Sequence, residues 1–350
     1  MKRKKQFLYW ALVVWNIGTL QAQVTIEAGR GFIIPHRPSM KHLIKKPIHH
    51  LQIGYRINAN PTSAMMQAYR HPSFYLKALA LEWGNPSQLG MGLGVVGGVQ
   101  CYLSAQRVNS IFMGWGMGMA TQSFQRLENY KNNAIGSFLN TVVQLQYHHV
   151  LWRNETNTLQ ALLDLTHFSN ASYSTPNLGI NSITLGAAYS FGTKSISAGT
   201  TALPEAPYSM VLEASAAGFL KENYPPDGEK FFAHTFSIAA GHRTGYKSSW
   251  LLRYDYFFDQ SLAYKTNPSN TSLQNRHGLA LEHQLHFSKV TLLLGMGAYV
   301  RAAYREDGPL YHRITLRYHF IENLFLNIGL KSHFAKADYA EIGLGIKLFR

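Results

Sequence analysis

Residues 339–348 read Tyr339-Ala340-Glu341-Ile342-Gly343-Leu344-Gly345-Ile346-Lys347-Leu348. Ala340, Ile342, Leu344, Ile346 and Leu348 fall on one parity, and Tyr339, Glu341, Gly343, Gly345 and Lys347 on the other. Successive side chains of a strand point to opposite faces, so this segment, as a strand, is apolar on one side only. The same period of two recurs upstream. Ile314, Leu316, Tyr318 and Phe320 oppose Arg313, Thr315, Arg317 and His319. Trp250, Leu252, Tyr254, Tyr256 and Phe258 share a face against Arg253 and Asp255, and Val143, Leu145 and Tyr147 oppose Gln144, Gln146 and His148.

About sixteen such segments follow one another. They lie near 24–33, 49–58, 74–83, 91–103, 109–120, 139–150, 157–169, 182–192, 208–220, 232–242, 248–258, 277–287, 290–300, 310–320, 324–334 and 338–348. Several connections are very short, such as Ser288-Lys289 and Glu322-Asn323, whereas 33–48, 121–138 and 259–276 are long and polar. Strands of about ten residues, short turns at one end and long loops at the other describe a transmembrane β-barrel. Lipid offers the backbone no hydrogen-bond partner, so spanning strands must close on themselves. A soluble sandwich would need a second apolar face to bury, and here the second face is polar. The expected fold is therefore all-β, a transmembrane antiparallel β-barrel of the outer membrane with about 14–16 strands. Connections 58–73 and 193–207 break the alternation of loop lengths. Because Thr193 to Pro207 is short for a linker, one barrel over 23–350 is favoured over two, with 23–192 and 193–350 as its halves.

Composition agrees. Of 350 residues, 13% are aromatic, 29 are glycine and only 15% are charged, against roughly 25% charged in an average soluble protein. A mean hydropathy of −0.14 excludes a bundle of apolar transmembrane helices. Cys101 stands alone, which excludes an internal disulfide framework and a cysteine-based zinc site. At the N-terminus, Lys2, Arg3, Lys4 and Lys5 precede an uncharged run from Phe7 to Leu20 that ends in Leu20-Gln21-Ala22. This is the pattern of a cleaved secretory signal peptide, 1–22, with export through the inner membrane of a Gram-negative cell. Its removal takes four positive charges from a formal net charge of +15. The remaining excess suits the phosphates of lipopolysaccharide rather than nucleic acid.

Sixteen histidines suggest metal at first sight. They are scattered, and the pairs His49-His50 and His148-His149 point to opposite faces of a strand, so no metal and no cofactor is expected. The segment Leu165-Thr166-His167-Phe168-Ser169-Asn170 carries more chemistry. His167 and Ser169 are two apart and share a face, which lets an imidazole reach a hydroxyl. His71/Ser73 and His286/Ser288 repeat that spacing, so the spacing alone is unspecific. The middle copy differs in its face. Leu159, Ala161, Leu163 and Leu165 lie on its parity, so the pair ends a lipid-facing stripe. If the first strand rises from the periplasm the seventh rises too, and the pair emerges at the outer leaflet, where only a lipid is in reach.

These residues resemble a family. His167-Phe168-Ser169-Asn170 with Pro176-Asn177 looks like the signature of lipid A 3-O-deacylases, outer-membrane serine hydrolases of the acyloxyacyl hydrolase (PagL) type. The stretches 31–37, 128–137, 175–181, 307–311 and 335–339 resemble its long Bacteroidetes-type branch. The resemblance implies hydrolysis of an ester-linked 3-hydroxyacyl chain of lipid A in the outer leaflet. Ser169 would be the nucleophile and His167 its general base. Asn177, with Asn170, Ser172 or a backbone amide near Ala171, would stabilise the oxyanion and hold the substrate. Short family members carry a glutamate fourteen residues after the histidine; here that position is Asn181, which would orient His167 in its place. Asp164 has the wrong parity for that role, and Glu128 lies in a long loop. Arg37, Lys41, Lys45 and Lys46 are loop cations placed to meet phosphate.

A different class of function also fits the pattern: a non-catalytic barrel, structural or a pore, whose polar faces with Arg313, Arg317 and Lys347 would line an anion-tolerant lumen.

Overall fold

Pairing of the strands decides the architecture. A computed structural model describes residues 23–57, 64–192, 209–266, 269–334 and 336–349. The signal-peptide reading at 1–22 and the 193–207 connection lie outside the described residues. Among the described residues there are sixteen antiparallel strands: β1 (Val24–Ile34), β2 (Ile48–Ile57), β3 (Ser73–Glu82), β4 (Met91–Tyr102), β5 (Asn109–Ala120), β6 (Leu139–Arg153), β7 (Asn157–Ser169) and β8 (Ile180–Phe191), then β9 (Ser209–Glu222), β10 (Lys230–Arg243), β11 (Ser248–Asp259), β12 (Asn275–Phe287), β13 (Val290–Ala302), β14 (Leu310–His319), β15 (Leu324–His333) and β16 (Lys336–Phe349). Two short α-helices, α1 (Ala64–Ala68) and α2 (Gln260–Thr266), sit in connections, and no described helix is long and apolar enough to cross a membrane.

The strand count expected from the sequence is present, but the single large barrel is not. β8 turns back onto β1, from Val24↔Phe191 to Ile34↔Asn181, and closes an eight-stranded barrel. β16 closes a second barrel on β9. Glycines make these seams possible. A Cβ on Gly31 would sit 1.8 Å from the Ile183 carbonyl oxygen, and one on Gly186 would sit 1.9 Å from that of Ala28. Only a residue without a side chain allows the backbones that close.

Both walls follow the period of two. Ile26, Leu51, Ile53, Val95, Val143 and Leu185 face outward and are exposed, whereas Glu27, Gln52, Lys77, Gln144, Gln146 and Asp164 are buried inside the first barrel. An eight-stranded barrel is just wide enough for side chains to fill. In the first barrel Lys77 Nζ donates to Glu27 and to Gln146, both at 2.6 Å. Above this polar layer an apolar plug closes the end that carries the longer loops; Trp83 and Phe168 meet edge to face there at 5.3 Å. Gly92 and Gly118 leave room for the two rings.

The second barrel is filled by ion pairs. Arg313 donates to Asp255 at 2.7 Å and to Glu341 at 2.8 Å, and Arg317 forks onto Glu213 at 2.7 and 2.8 Å. This corrects the reading of Arg313 and Arg317 as lining of an anion-tolerant lumen: both are buried and neutralised by carboxylates. The barrels touch at both ends. Far from the plug, Tyr69 stacks on Phe287 with centroids 4.6 Å apart and donates to the Lys247 carbonyl.

Removing one partner of a buried pair leaves an uncompensated charge, at a cost of about 3–5 kcal/mol. Lys77→Ala is accordingly expected to lower the unfolding free energy in detergent micelles by about that amount. Glu82→Ala, which removes an exposed partner of His49, is expected to change it by about 1 kcal/mol or less.

Candidate active site

β7 carries the centre of the site. Asp164, Thr166 and Phe168 point into the barrel and are buried, while Leu165 on the opposite parity is exposed on the wall. His167 and Ser169 share the parity of Leu165, at the end bearing the plug. The cross-strand register sets their neighbours: His167 lies opposite Asn181 on β8, and Asn181 lies opposite Ile34 on β1.

Side-chain distances are short. His167 Nε2 is 2.9 Å from Ser169 Oγ, and His167 Nδ1 is 2.6 Å from Asn181 Oδ1. For the hydroxyl to donate to Nε2, that nitrogen must be bare, so the neutral ring carries its proton on Nδ1 and donates it to Asn181. Asn181 Nδ2 then points away from His167 and lies 3.0 Å from Nδ1 of His36, two residues beyond the end of β1. Partial desolvation of this exposed ring and the neighbouring Arg37 hold the His36 pKa below the ordinary histidine range. Glu128 stands exposed in its loop, and Asp164 is engaged inside the barrel by Gln144, Gln146 and Thr166.

The loop after β7 presents donors. Residues 170–173 make a tight turn in which Tyr173 N–H donates to the Asn170 carbonyl at 3.1 Å. Its two central residues, Ala171 (φ 52°) and Ser172 (φ 67°), are left-handed, the pattern of a type I′ turn that ordinarily selects Asn or Gly. Each such residue costs on the order of 1–3 kcal/mol, and strain of this kind gathers at functional sites. Asn177 Oδ1 accepts from the Asn170 N–H at 3.0 Å, which leaves the buried Asn177 Nδ2 without a hydrogen-bond partner.

The remaining expected residues serve the loop itself. Asn170 Nδ2 donates to Ser137 Oγ and to the Ser174 carbonyl, so its amide has no hydrogen left for a substrate. Ser172 Oγ donates to the Ala337 carbonyl, and the Ser172 carbonyl accepts from the Glu222 N–H. The second barrel thereby holds this loop. Glu222 accepts from Thr175 Oγ1 at 2.8 Å and pairs with Lys230, which donates to the Tyr173 carbonyl at 2.5 Å. From the other side, residues 132–136 support the strand that follows: Gly179 N–H donates to the Ala134 carbonyl at 2.9 Å.

Arg37, Lys41, Lys45 and Lys46 are all exposed on the β1–β2 loop at this same end. One group of potential metal ligands exists among the described residues, Asp307, His333 and Asp338 in the second barrel. Lys221, Lys331 and Arg276 already neutralise Asp338, and Arg276 also pairs with Asp307.

An imidazole bonded to a hydroxyl on one nitrogen and to an amide oxygen on the other can activate that hydroxyl as a nucleophile. Comparison with known proteins gives this chemistry a context. The family model "Lipid A 3-O-deacylase (PagL)" matches residues 49–190, and "Acyloxyacyl hydrolase, C-terminal domain" matches 208–350. No curated protein sequence matches the chain at a significant level. Among solved structures, the KdgM porin in complex with disordered oligogalacturonate aligns over 93% of this chain and 98% of its own, at 7% identity and a TM-score of 0.21. A triple mutant of the Rhodopseudomonas blastica porin aligns over 93% and 99%, at 9% identity and 0.19. Scores this low carry no argument.

Gly179 offers a test of the geometry. Its φ is +75°, and a Cβ there would lie 2.8 Å from His167 Cε1 and 3.0 Å from the Phe168 carbonyl oxygen. Gly179→Ala should push the ring off Ser169. Because a misplacement of 1 Å can cost about 10²-fold, labelling of Ser169 by a fluorophosphonate is expected to slow by about that factor while the barrel still folds.

Proposed function

The chain belongs to the lipid A 3-O-deacylase (PagL) family of acyloxyacyl hydrolases, and we propose that it is an outer-membrane serine esterase that removes the ester-linked 3-hydroxyacyl chain at the 3-position of lipid A. The observation that carries the reading is the chain of contacts from Ser169 Oγ through His167 to Asn181, at 2.9 and 2.6 Å, on the outward side of a barrel wall. A nucleophile in that position meets molecules lying in the outer leaflet.

In the proposed reaction Ser169 Oγ attacks the ester carbonyl and its proton passes to His167 Nε2. The carbonyl oxygen becomes an oxyanion, for which Asn177 Nδ2 and the amides of the strained turn at Ala171 and Ser172 are the available donors. His167 then gives the proton to the departing sugar oxygen, leaving an acyl group on Ser169. Water, deprotonated by the same imidazole, releases the 3-hydroxy fatty acid and restores the serine. Asn181 keeps His167 in the required tautomer. It adds no negative charge to stabilise the imidazolium, which predicts a slower enzyme than one with a carboxylate there. Arg37, Lys41, Lys45 and Lys46 are placed to hold the phosphates of the substrate. The signal peptide at 1–22 would deliver the chain to the periplasm for insertion into the outer membrane.

The second half of the chain is read as a structural partner that holds the 171–175 loop. A passive envelope barrel remains the competing function, and one experiment separates the two. Mass spectrometry of lipid A from cells producing the wild-type protein should show loss of one hydroxyacyl chain, and cells producing Ser169→Ala should not. Unaltered lipid A in both would overturn the proposal. Asn177→Ala should lower kcat by roughly 10²–10³, the usual effect of removing one oxyanion donor.

A further inference from the structure

The orienting position raises a chemical problem that a carboxylate does not. Both oxygens of a glutamate accept, so either one keeps the histidine proton on Nδ1. An amide has one acceptor and one donor end. If Asn181 turned over, Nδ2 would face His167, Nδ1 would have to accept, and the ring proton would move to Nε2, where it blocks deprotonation of Ser169. Replacing the orienting acid by Asn in serine proteases costs about 10⁴ for this reason.

We propose that His36 is the positioning residue that prevents this turnover: its Nδ1, 3.0 Å from Asn181 Nδ2, accepts from the amide and so keeps Asn181 Oδ1 toward His167. The inference rests on the esterase reading above and adds a fourth member to its contact chain. Two further observations support this arrangement. Partial desolvation of the exposed ring and the neighbouring Arg37 favour the neutral form, the only one that can accept. Finally, Ile34 pairs with Asn181 across the β1–β8 seam, so closure of the barrel itself delivers His36 to the amide. The order along the wall is then Ser169, His167, Asn181, His36, with each hydrogen bond forcing the polarity of the next.

A double-mutant comparison tests this without relying on His36 loss alone. His36→Ala in the otherwise native chain should lower kcat for lipid A at least tenfold, toward the roughly 10⁴ of a wrong tautomer, with KM nearly unchanged. In the Asn181→Glu background the same His36→Ala change should alter kcat by less than about threefold, because a carboxylate has no wrong way round. Equal losses in both backgrounds would mean that His36 merely supports the fold, and would overturn the proposal, as would an unchanged kcat in the native background. Nitrogen-15 NMR of the His167 ring in micelles reads the same idea independently of turnover. The native protein should show the proton on Nδ1, and His36→Ala a shift of population to Nε2. If the wild type leaves lipid A intact, the esterase reading fails, and this tautomer measurement still decides the role of His36.

Discussion

Backbone hydrogen bonding in a medium without water is the constraint on which the structure rests. Every strand that meets lipid must have both edges paired, and the chain meets this demand twice, through the β1–β8 and β9–β16 seams. Closing at eight strands leaves interiors that side chains fill, so the polar faces seen in the sequence become buried networks rather than lumen lining. Those networks are of two kinds. The first barrel mixes amides with one Lys77–Glu27 pair, and the second gathers arginines and lysines against aspartates and glutamates. Closure also fixes the site, because the seam strand β8 stands between β7 with its histidine and β1 with His36.

Much of this was legible in the residues. The sixteen strands follow from a local period of two, and their bounds agree with the structure to within a few residues. The wall on which His167 and Ser169 sit also follows from parity, since Leu159 to Leu165 mark the lipid side. What escapes a reading along the chain is which strand closes on which. A strand that ends a barrel and one that continues to a ninth have the same alternation, and the short count between Thr193 and Pro207 pointed to the wrong choice. Gly31, Gly186 and Gly343 each meet a neighbouring carbonyl across a closing seam, but Gly116 and Gly241 do the same between consecutive strands, so glycine positions did not mark the seams.

The same limit explains the site residues that were missed or misjudged. Asn181 could be named because the family resemblance marks the position fourteen residues after the histidine, and the β7–β8 pairing then sets it opposite His167. His36 could not, because its approach depends on β1 meeting β8, more than a hundred and forty positions away in sequence. Asn170 looked like a substrate-facing amide, yet its hydrogens are spent on Ser137 and Ser174. The grip of Glu222 and Lys230 on the 173–175 loop was equally invisible, since it arises between two bodies that the alternation pattern treats as one.

Phe168 ties the reactive strand to the barrel interior. It stands between His167 and Ser169, and its ring is wedged inward beside Trp83 in the space left by Gly92 and Gly118. The three residues share one stretch of backbone, so a shift of the strand that carried His167 and Ser169 away would draw the ring out of its slot. Loss of such an aromatic contact set costs about 3–5 kcal/mol when the ring is truncated. The backbone that carries the reactive pair is thus anchored through the sheet from behind.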